Sequence, residues 1–505
     1  MGIFMSKIYV DKLSEATLRV TSDDIGVEQE LSEHFSFFVP GYKFMPLYRN
    51  KVWDGKAKLY DFYRKKIAYG LYDYVKAFAK ANEYEVVDVT EITPTTEFVS
   101  RESLAEFIKG LNLHSRGEPI ELRDYQFEAV YNALNKKKTL TIAPTSAGKS
   151  AIIYCTIRYL LQYQHKVILV VPTTSLVSQM FSDFEDYSSA NKWNTDAYCH
   201  QLMGGKEKRF DKQVLITTWQ SVHAMSKSRD MESFYTQWTV YIGDEAHKFS
   251  AASLQKISER LVNAEYRIGT TGTVQDDKTT KLQLEGCFGP AYRVITTKQL
   301  MDNKQIVQLK IKALMLGYPE EVRKMAKKAD YQSEINYIVQ HEGRNKFIAK
   351  LAATREGNTL VLFNFVENHG KPMYEAIKRI AKNKKVFFVS GETGVEEREA
   401  IRAEVDKYTD AVIVASLGTF STGINIPSIE HTVFAHPTKS RIRNLQSIGR
   451  GLRLRKGKTH CVLYDIADDM SHKGKLNHAM NHFNLRLETY AEEQFEFDIK
   501  SFDIT

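Results

Sequence analysis

The chain has 505 residues, 43% hydrophobic and 26% charged, and 70 Lys and Arg against 62 Asp and Glu give it a net charge of +8. That length exceeds what one hydrophobic core serves and points to about two to four domains. The composition excludes a disordered chain, and no apolar run approaches the ~18–20 residues of a membrane-spanning helix.

In chain order, residues 1–95 read as a small α+β domain. Strands are expected at 7–10 and 17–20, and helices at 28–35 and 72–82. Asp54-Gly55 between the runs 47–53 and 56–62 predicts a hairpin with a type I′ turn. Residues 93–96, Thr-Pro-Thr-Thr, read as a linker. The window 42–66 holds Lys43, Arg49, Lys51, Lys56, Lys58, Arg64, Lys65 and Lys66 against only Asp54 and Asp61, a net +6. Tyr42, Phe44, Tyr48, Trp53, Tyr60, Phe62 and Tyr63 are interleaved with those charges. Cations and aromatics on one ribbon suit phosphate contact with base stacking. Arg49, Lys51, Trp53, Lys56 and Lys58 are the nucleic-acid contacts expected there. The alternative, that the aromatics are this domain's core and the charges its solvated face, stays open. Asp54-Gly55-Lys56 is also a fragment seen in nuclease sites, but no Pro-Asp precedes it.

Residues 96–305 change pattern, with strands at 139–143, 166–172, 213–218, 240–244 and 266–269. Runs such as Val-Ile-Leu-Val-Val are apolar on both faces, as buried parallel strands are. Amphipathic segments at 151–163 and 175–187 lie between them. Residues 306–466 repeat the pattern, with strands at 310–316, 359–365, 385–390, 411–415, 431–435 and 460–465. The tail, 467–505, reads as polar and helical over 475–493. It either packs on the second sheet or meets a partner. Cys155, Cys199, Cys287 and Cys461 form no CxxC pair, which argues against a zinc site or a disulfide framework and fits a reducing compartment, so the cytoplasm is the expected location. The first six residues formally match a myristoylation pattern. No second membrane signal and no secretory signal accompany it, so no membrane association is expected.

The chemistry concentrates in the first strand–turn–helix of 96–305. Ala143, Pro144, Thr145, Ser146, Ala147, Gly148, Lys149 and Ser150 form a phosphate-cradling loop with alanine for its first glycine. Its backbone N–H groups and the positive end of the following helix favour a polyphosphate. Lys149 supplies a point charge, and the Ser150 hydroxyl is a Mg²⁺ ligand. Asp244 and Glu245 end the strand 240–244. Asp244 is the expected metal partner, and Glu245 is placed to orient or deprotonate the attacking water. Arg450 and Arg453 lie three residues apart, on one face of an expected helix in the half without a phosphate loop. They suit arginine fingers on a γ-phosphate, while Arg455 is left to a surface phosphate patch.

Taken in order, the loop 143–150, Asp244-Glu245-Ala246-His247, Thr271-Gly272-Thr273 and residues 446–453 resemble the superfamily 2 helicases of the DEAH type. Within these the chain looks most like the phage recombination helicases over its full length. The resemblance implies two tandem RecA-like, doubly wound parallel-sheet domains, preceded by a small α+β domain and followed by a helical tail. It implies that Arg123 and Gln126, in a Q-type motif at 122–126, read adenine. Gly423, Asn425 and Gln446 join the ATP contacts. Thr173, Gly205, Thr218 and Thr419 are the implied strand contacts, on phosphate rather than base edges. The cofactors implied are ATP and Mg²⁺.

An ATP-dependent 3′–5′ DNA helicase or translocase acting on branched or single-stranded DNA is expected, in recombination, repair and replication, with RNA–DNA hybrids as further substrates and a monomeric state. An RNA or hybrid helicase and the motor of a restriction-type nuclease are the alternatives.

Overall fold

The computed structural model describes residues 6–92, 97–203, 210–225, 231–248, 251–272, 277–419, 426–438, 440, 445, 447–449, 451–455 and 457–504. The chain forms two compact units, residues 1–143 with 148–294 and residues 295–505 with the loop 144–147.

The first unit opens with seven short strands: β1 (Lys7–Lys12), β2 (Thr17–Ser22), β3 (Ser36–Phe38), β4 (Lys56–Lys58), β5 (Tyr60–Asp61), β6 (Lys66–Ala68) and β7 (Glu85–Asp88). Five of them form a sheet in the order β5-β6-β2-β1-β7. Alternation along β1 and β2 puts Ile8, Val10, Leu18 and Val20 in the core with Leu31 and Val75. The helices Ile25–His34 and Tyr72–Ala81 appear where the pattern predicts them, the first capped by the Asp24 carboxylate, which accepts from Gly26 N–H at 2.8 Å.

The expected hairpin of 47–53 with 56–62 is not formed. β4 pairs with β3 instead, Lys56 facing Phe38. Between them the chain makes a 3₁₀ turn, Tyr42–Phe44, and a short helix, Pro46–Arg49. Pro46 is the reason: its fixed φ suits the first helical position, and it has no N–H to give a strand ladder. Asp54-Gly55 therefore closes a wide loop rather than a two-residue turn. The Asp54 carboxylate accepts from Lys56 N–H at 3.0 Å, and Val39 N–H donates to Gly55 O at 2.9 Å.

This small domain packs on the helix Lys278–Phe288 through Tyr74, whose hydroxyl donates to Glu285 Oε2 at 2.6 Å, and on the start of the strand Lys138–Ile142 through Glu15, which pairs with Lys138 at 2.7 Å. Gly70 allows the close approach, since a Cβ there would lie 1.9 Å from the Glu285 carbonyl oxygen.

After a two-residue ribbon of β8 (His114–Ser115) and β9 (Glu118–Pro119) come β10 (Lys138–Ile142), β11 (Val167–Val171), β12 (Cys199–Leu202), β13 (Val214–Thr218), β14 (Val240–Asp244), β15 (Tyr266–Thr271) and β16 (Ala291–Arg293). They form a seven-stranded sheet, order β12-β13-β11-β14-β15-β10-β16, with every pairing parallel. All residues of β11, β13, β14 and β15 are buried; β11 is apolar throughout, while β13, β14 and β15 carry buried polar residues toward their carboxyl ends, Thr217, Thr218, Asp244, Thr270 and Thr271. The edge strands β12 and β16 carry no such run and were not expected.

The second unit repeats this build with β17 (Gln308–Gly317), β18 (Asn358–Phe363), β19 (Lys385–Val389), β20 (Ala411–Ser416), β21 (Ile429–Phe434), β22 (His460–Asp469) and β23 (Phe497–Asp503), in the order β19-β20-β18-β21-β22-β17-β23, again all parallel. The tail's helix is His478–Glu492. Glu334 holds its start, accepting from His478 N–H at 3.0 Å and Ala479 N–H at 2.7 Å. The tail then adds β23 beside β17, a strand that the sequence pattern does not predict.

Two buried ion pairs bind β22 to its helices. Arg344 donates from Nε and Nη2 to Asp468, at 2.6 and 3.0 Å, and Arg486 Nε donates to Asp465 at 2.8 Å. Beside Arg344 lie His369 and His436, both buried. Burial, then the Arg344 charge, holds His369 well below its usual pKa, and the same causes bring His436 down to about 3, with Asp468 opposing and Arg486 and His482 adding to the fall. Both histidines hold their proton less tightly folded than unfolded, so stability falls as pH drops below the unfolded value of 6.5. Each contributes a loss of about 1.4 kcal/mol per pH unit until its folded pKa is reached. Thermal melting at pH 7.5 and 5.5 should show this, with His436→Phe flattening the dependence; equal slopes in the two proteins would refute it.

Candidate active site

The site is built at the carboxyl ends of β10, β14 and β15, where a doubly wound sheet places its ligands. Ala143 leaves β10 with its N–H on Thr271 O at 2.9 Å, and Ala143 and Ala147 are fully buried. Ser146 and Gly148 take φ of 74° and 76°, turning the loop directly into the helix Lys149–Leu161. No side chain caps that helix, so its first N–H groups are open to an anion. Glycine is favoured at 148 because its φ is left-handed, and a Cβ there would lie 2.2 Å from Gln126 Nε2 and displace that side chain. The structure thus sets Gln126, which is buried, directly against the loop, while its Oε1 accepts from Arg123 N–H at 2.9 Å. Arg123 Nη1 donates to Tyr125 Oη at 3.0 Å.

Lys149 Nζ lies 3.1 Å from Glu245 Oε1 and 3.4 Å from the Ala143 carbonyl oxygen. Asp244 is buried at the end of β14, where Thr270 of β15 donates to its Oδ1 at 2.6 Å. Glu245 follows at a φ of 48°, a left-handed conformation costly for a non-glycine residue and found at functional sites. Burial, then the adjacent Glu245 charge, pushes Asp244 up. Burial works to raise Glu245 too, but Lys149 and then His247 and Lys248 outweigh it and hold that carboxyl well below the usual range. Glu245 is therefore a carboxylate at neutral pH, able to accept a proton or orient a water. His247, brought down to about 4 mainly by burial, stays neutral, and its Nδ1 lies 2.6 Å from Thr271 Oγ1. It links the end of β14 to the end of β15.

Several of these partners were not read from the sequence. His247 lies inside the motif 244–247, while Thr270 falls between the expected strand 266–269 and the motif 271–273. Tyr187, whose hydroxyl lies 2.8 Å from Ser150 Oγ, gave no signal, because it ends an ordinary amphipathic helix 37 residues away.

The donor set fits Mg²⁺. Buried Asp244, half-buried Glu245 and the helix-terminal hydroxyl of Ser150 supply oxygen donors, and Glu245 Oε2 is shielded from solvent with no hydrogen-bond partner, 3.4 Å from His247 Nδ1. Among the described residues no three His, Cys, Asp or Glu form a metal cage by themselves. That suits an ion that takes one or two carboxylates together with phosphates.

Of the strand contacts implied by resemblance, Thr173 follows β11, Thr218 ends β13 and Thr419 follows β20. Their hydroxyls are engaged within the chain. Thr173 caps the helix Thr174–Tyr187 by accepting from Leu176 N–H, Thr218 Oγ1 lies 3.0 Å from Ser221 Oγ, and Ser416 Oγ donates to Thr419 Oγ1 at 2.7 Å. Arg453 is half-buried and lies beyond the helical residues 447–449 and 451, so it is not on the helix expected to carry it. Gly205, Thr273, Gly423, Asn425, Gln446 and Arg450 lie outside the described residues.

In the small domain the window 42–66 divides. Tyr60 belongs to the core, donating to Val20 O at 2.9 Å. Phe38, Phe44, Leu47 and Val52 are exposed at 53%, 76%, 58% and 73%. Cations lie over these rings, Arg49 at 6.0 Å from Phe44 and Lys56 at 5.2 Å from Phe38. Trp53 is half-buried, its Nε1 donating to Lys56 O at 2.8 Å. Lys51 is exposed, and Lys58 pairs with Asp54 at 3.1 Å. Both readings of this window therefore hold in part: Tyr60 is core, Tyr42, Tyr48, Trp53 and Phe62 are half-buried, and Phe44 and Tyr63, with the neighbouring Phe38, stand exposed among the cations.

Residues 7–88 match the family described as DNA helicase UvsW, N-terminal; residues 119–276 match type III restriction enzyme, res subunit; and residues 343–455 match the helicase conserved C-terminal domain. The chain is 34% identical over 493 residues to the ATP-dependent DNA helicase uvsW of Enterobacteria phage T4, covering 94% of this chain and 95% of that one. It is 24% identical over 371 residues to the DNA 3'-5' translocase XPB2 of Sulfurisphaera tokodaii, covering 66% of this chain and 79% of that one. The crystal structure of T4 UvsW superposes with a TM-score of 0.52 at 32% identity, covering 98% of this chain and 99% of that one.

Proposed function

Because the chain belongs to the UvsW family of superfamily 2 helicases and is an ATP-dependent helicase, we propose that it unwinds or branch-migrates branched DNA, moving 3′ to 5′. Its substrates in this reading are forks, Holliday junctions, D-loops and R-loops, in recombination, repair and replication. The observation that carries the proposal is the joining, in one chain, of the UvsW N-terminal family at 7–88 to both helicase halves, with exposed rings and cations on that domain. The name of the Sulfurisphaera relative supports the direction.

Lys149 and the loop N–H groups bind the β- and γ-phosphates, with Arg123 and Gln126 at the adenine. Ser150 and Asp244 hold Mg²⁺, which when bound offsets phosphate charge. Glu245 orients the attacking water and takes its proton. Arg450 and Arg453 act as fingers, with Gly423, Asn425 and Gln446 as further ATP contacts. Thr173, Gly205, Thr218 and Thr419 hold the tracked strand, chiefly through backbone N–H groups in view of the engaged hydroxyls. Arg49, Lys51, Trp53, Lys56 and Lys58 meet the junction. The protein works as a monomer in the cytoplasm.

Strand displacement from duplexes with 3′ or 5′ tails, and from a four-way junction, tests this. Displacement favouring 3′ tails and the junction supports it; preference for 5′ tails overturns the direction. A second test addresses the basic surface. Changing Arg49, Lys51 and Lys58 to Ala together should reduce the slope of log affinity against log salt by about 0.7–0.9 for each phosphate that the protein no longer neutralises. An unchanged slope removes that surface from the interface.

A further inference from the structure

Lys458 joins Pro427 to the stretch 446–453. Its Nζ donates to the Pro427 carbonyl at 3.0 Å and to the Gly451 carbonyl at 2.6 Å. Pro427 lies eight residues after Thr419, an implied strand contact, and Gly451 lies within 446–453. The lysine is presented by a tight turn, Lys458 N–H donating to Arg455 O at 3.0 Å with Gly457 at φ 84°. Its side chain is half-buried, and burial is the main cause that lowers its pKa. A buried ammonium bound to two carbonyls is held in place, because releasing either leaves a desolvated polar group without a partner.

Other ties fix the second of these segments. Val307 N–H donates to Leu452 O at 2.9 Å, and Arg455 Nη2 donates to Asp406 O at 3.0 Å. Gly451 sits flush on the sheet, since a Cβ there would lie 2.9 Å from Cys461 Sγ. Among these ties Lys458 is the one that also reaches Pro427.

We propose that Lys458 is a positioning residue for ATP hydrolysis: by gripping Pro427 O and Gly451 O together, it ties the segment carrying Thr419 to the segment carrying Arg450 and Arg453. A strand bound at the first then sets the arginines on the second. The inference rests on the reading of Thr419 as a strand contact and of Arg450 and Arg453 as fingers. Lys458 touches no substrate and acts through Gly451, next to Arg450.

The test uses the full-length protein with Lys458→Met, Lys458→Gln and Lys458→Arg, measuring kcat and KM for ATP with and without single-stranded DNA. For Lys458→Met the ratio of DNA-stimulated to basal kcat should fall by about 10-fold at unchanged KM for ATP, since small misplacement of a catalytic group is costly in rate. Lys458→Arg should restore most of the ratio, because a guanidinium can donate to both carbonyls. Lys458→Gln, which keeps two N–H donors without the charge, should be intermediate, and it stands in if the Met variant does not fold. A wild-type ratio, an equal fall in basal and stimulated rates, or no rescue by arginine overturns the inference. Arg453→Ala run alongside separates the two failures. If it lowers kcat while Lys458→Met keeps the wild-type ratio, only the Lys458 inference falls; if Arg453→Ala leaves kcat intact, the finger reading falls.

Discussion

Glu245→Gln is expected to lower kcat for ATP hydrolysis by ~10²–10⁴-fold, the range for losing a general base. The change keeps the shape of the side chain and removes its charge. ATP should still bind, because the phosphate cradle of residues 143–150 is untouched and Lys149 loses the carboxylate that lies 3.1 Å from it. Loss of the Glu245 charge also removes one of the causes that raise Asp244, so that carboxyl, the proposed Mg²⁺ ligand, becomes more readily ionised. The signature is a large fall in kcat with no rise in the dissociation constant of ATP, read by single-turnover hydrolysis and equilibrium binding. A variant that hydrolyses ATP at the wild-type rate would falsify the role given to Glu245.

Arg344→Ala carries the second large effect, on stability. Arg344 and Asp468 are both fully shielded from solvent, and Asp468 also accepts from Tyr318 Oη at 2.9 Å. Removing the arginine leaves Asp468 as an uncompensated buried charge, a loss of about 3–5 kcal/mol. At about 2–4 °C per kcal/mol for a unit of this size, melting of the second unit should move down by roughly 6–20 °C. The double change Arg344→Met with Asp468→Leu should lose far less, since replacing a buried pair by apolar residues is often neutral. Equal losses in the single and double variants would mean that packing, not charge, decides the site.

Much of this architecture is legible in the chain, for identifiable physical reasons. Strands such as Val167–Val171 are buried on both faces, so an unbroken short apolar run marks them, and Val214–Thr218 shows the same signal in its first three residues before two buried threonines. The loop 143–150 is legible because its conformation needs small residues at fixed places. The region 39–55 misled because Asp54-Gly55 suits both a two-residue turn and the end of a wide loop, and only Pro46, eight residues earlier, decides between them. The strand Phe497–Asp503 escaped notice because an edge strand with six exposed residues out of seven has no apolar run to show. The pairs Arg344–Asp468 and Lys458–Pro427 are contacts between residues 124 and 31 positions apart, and local patterning carries no trace of them.

The central claim is that ATP hydrolysis at the loop 143–150 is driven by branched DNA. The most direct measurement is the steady-state rate of hydrolysis at fixed low salt with no nucleic acid, single-stranded DNA, linear duplex, a four-way junction and RNA, using Lys149→Ala as the blank. The account predicts the strongest stimulation by the junction and no stimulated rate in the Lys149→Ala protein. Stimulation by RNA equal to or above that by the junction, or a Lys149→Ala protein that keeps the wild-type rate, would contradict it.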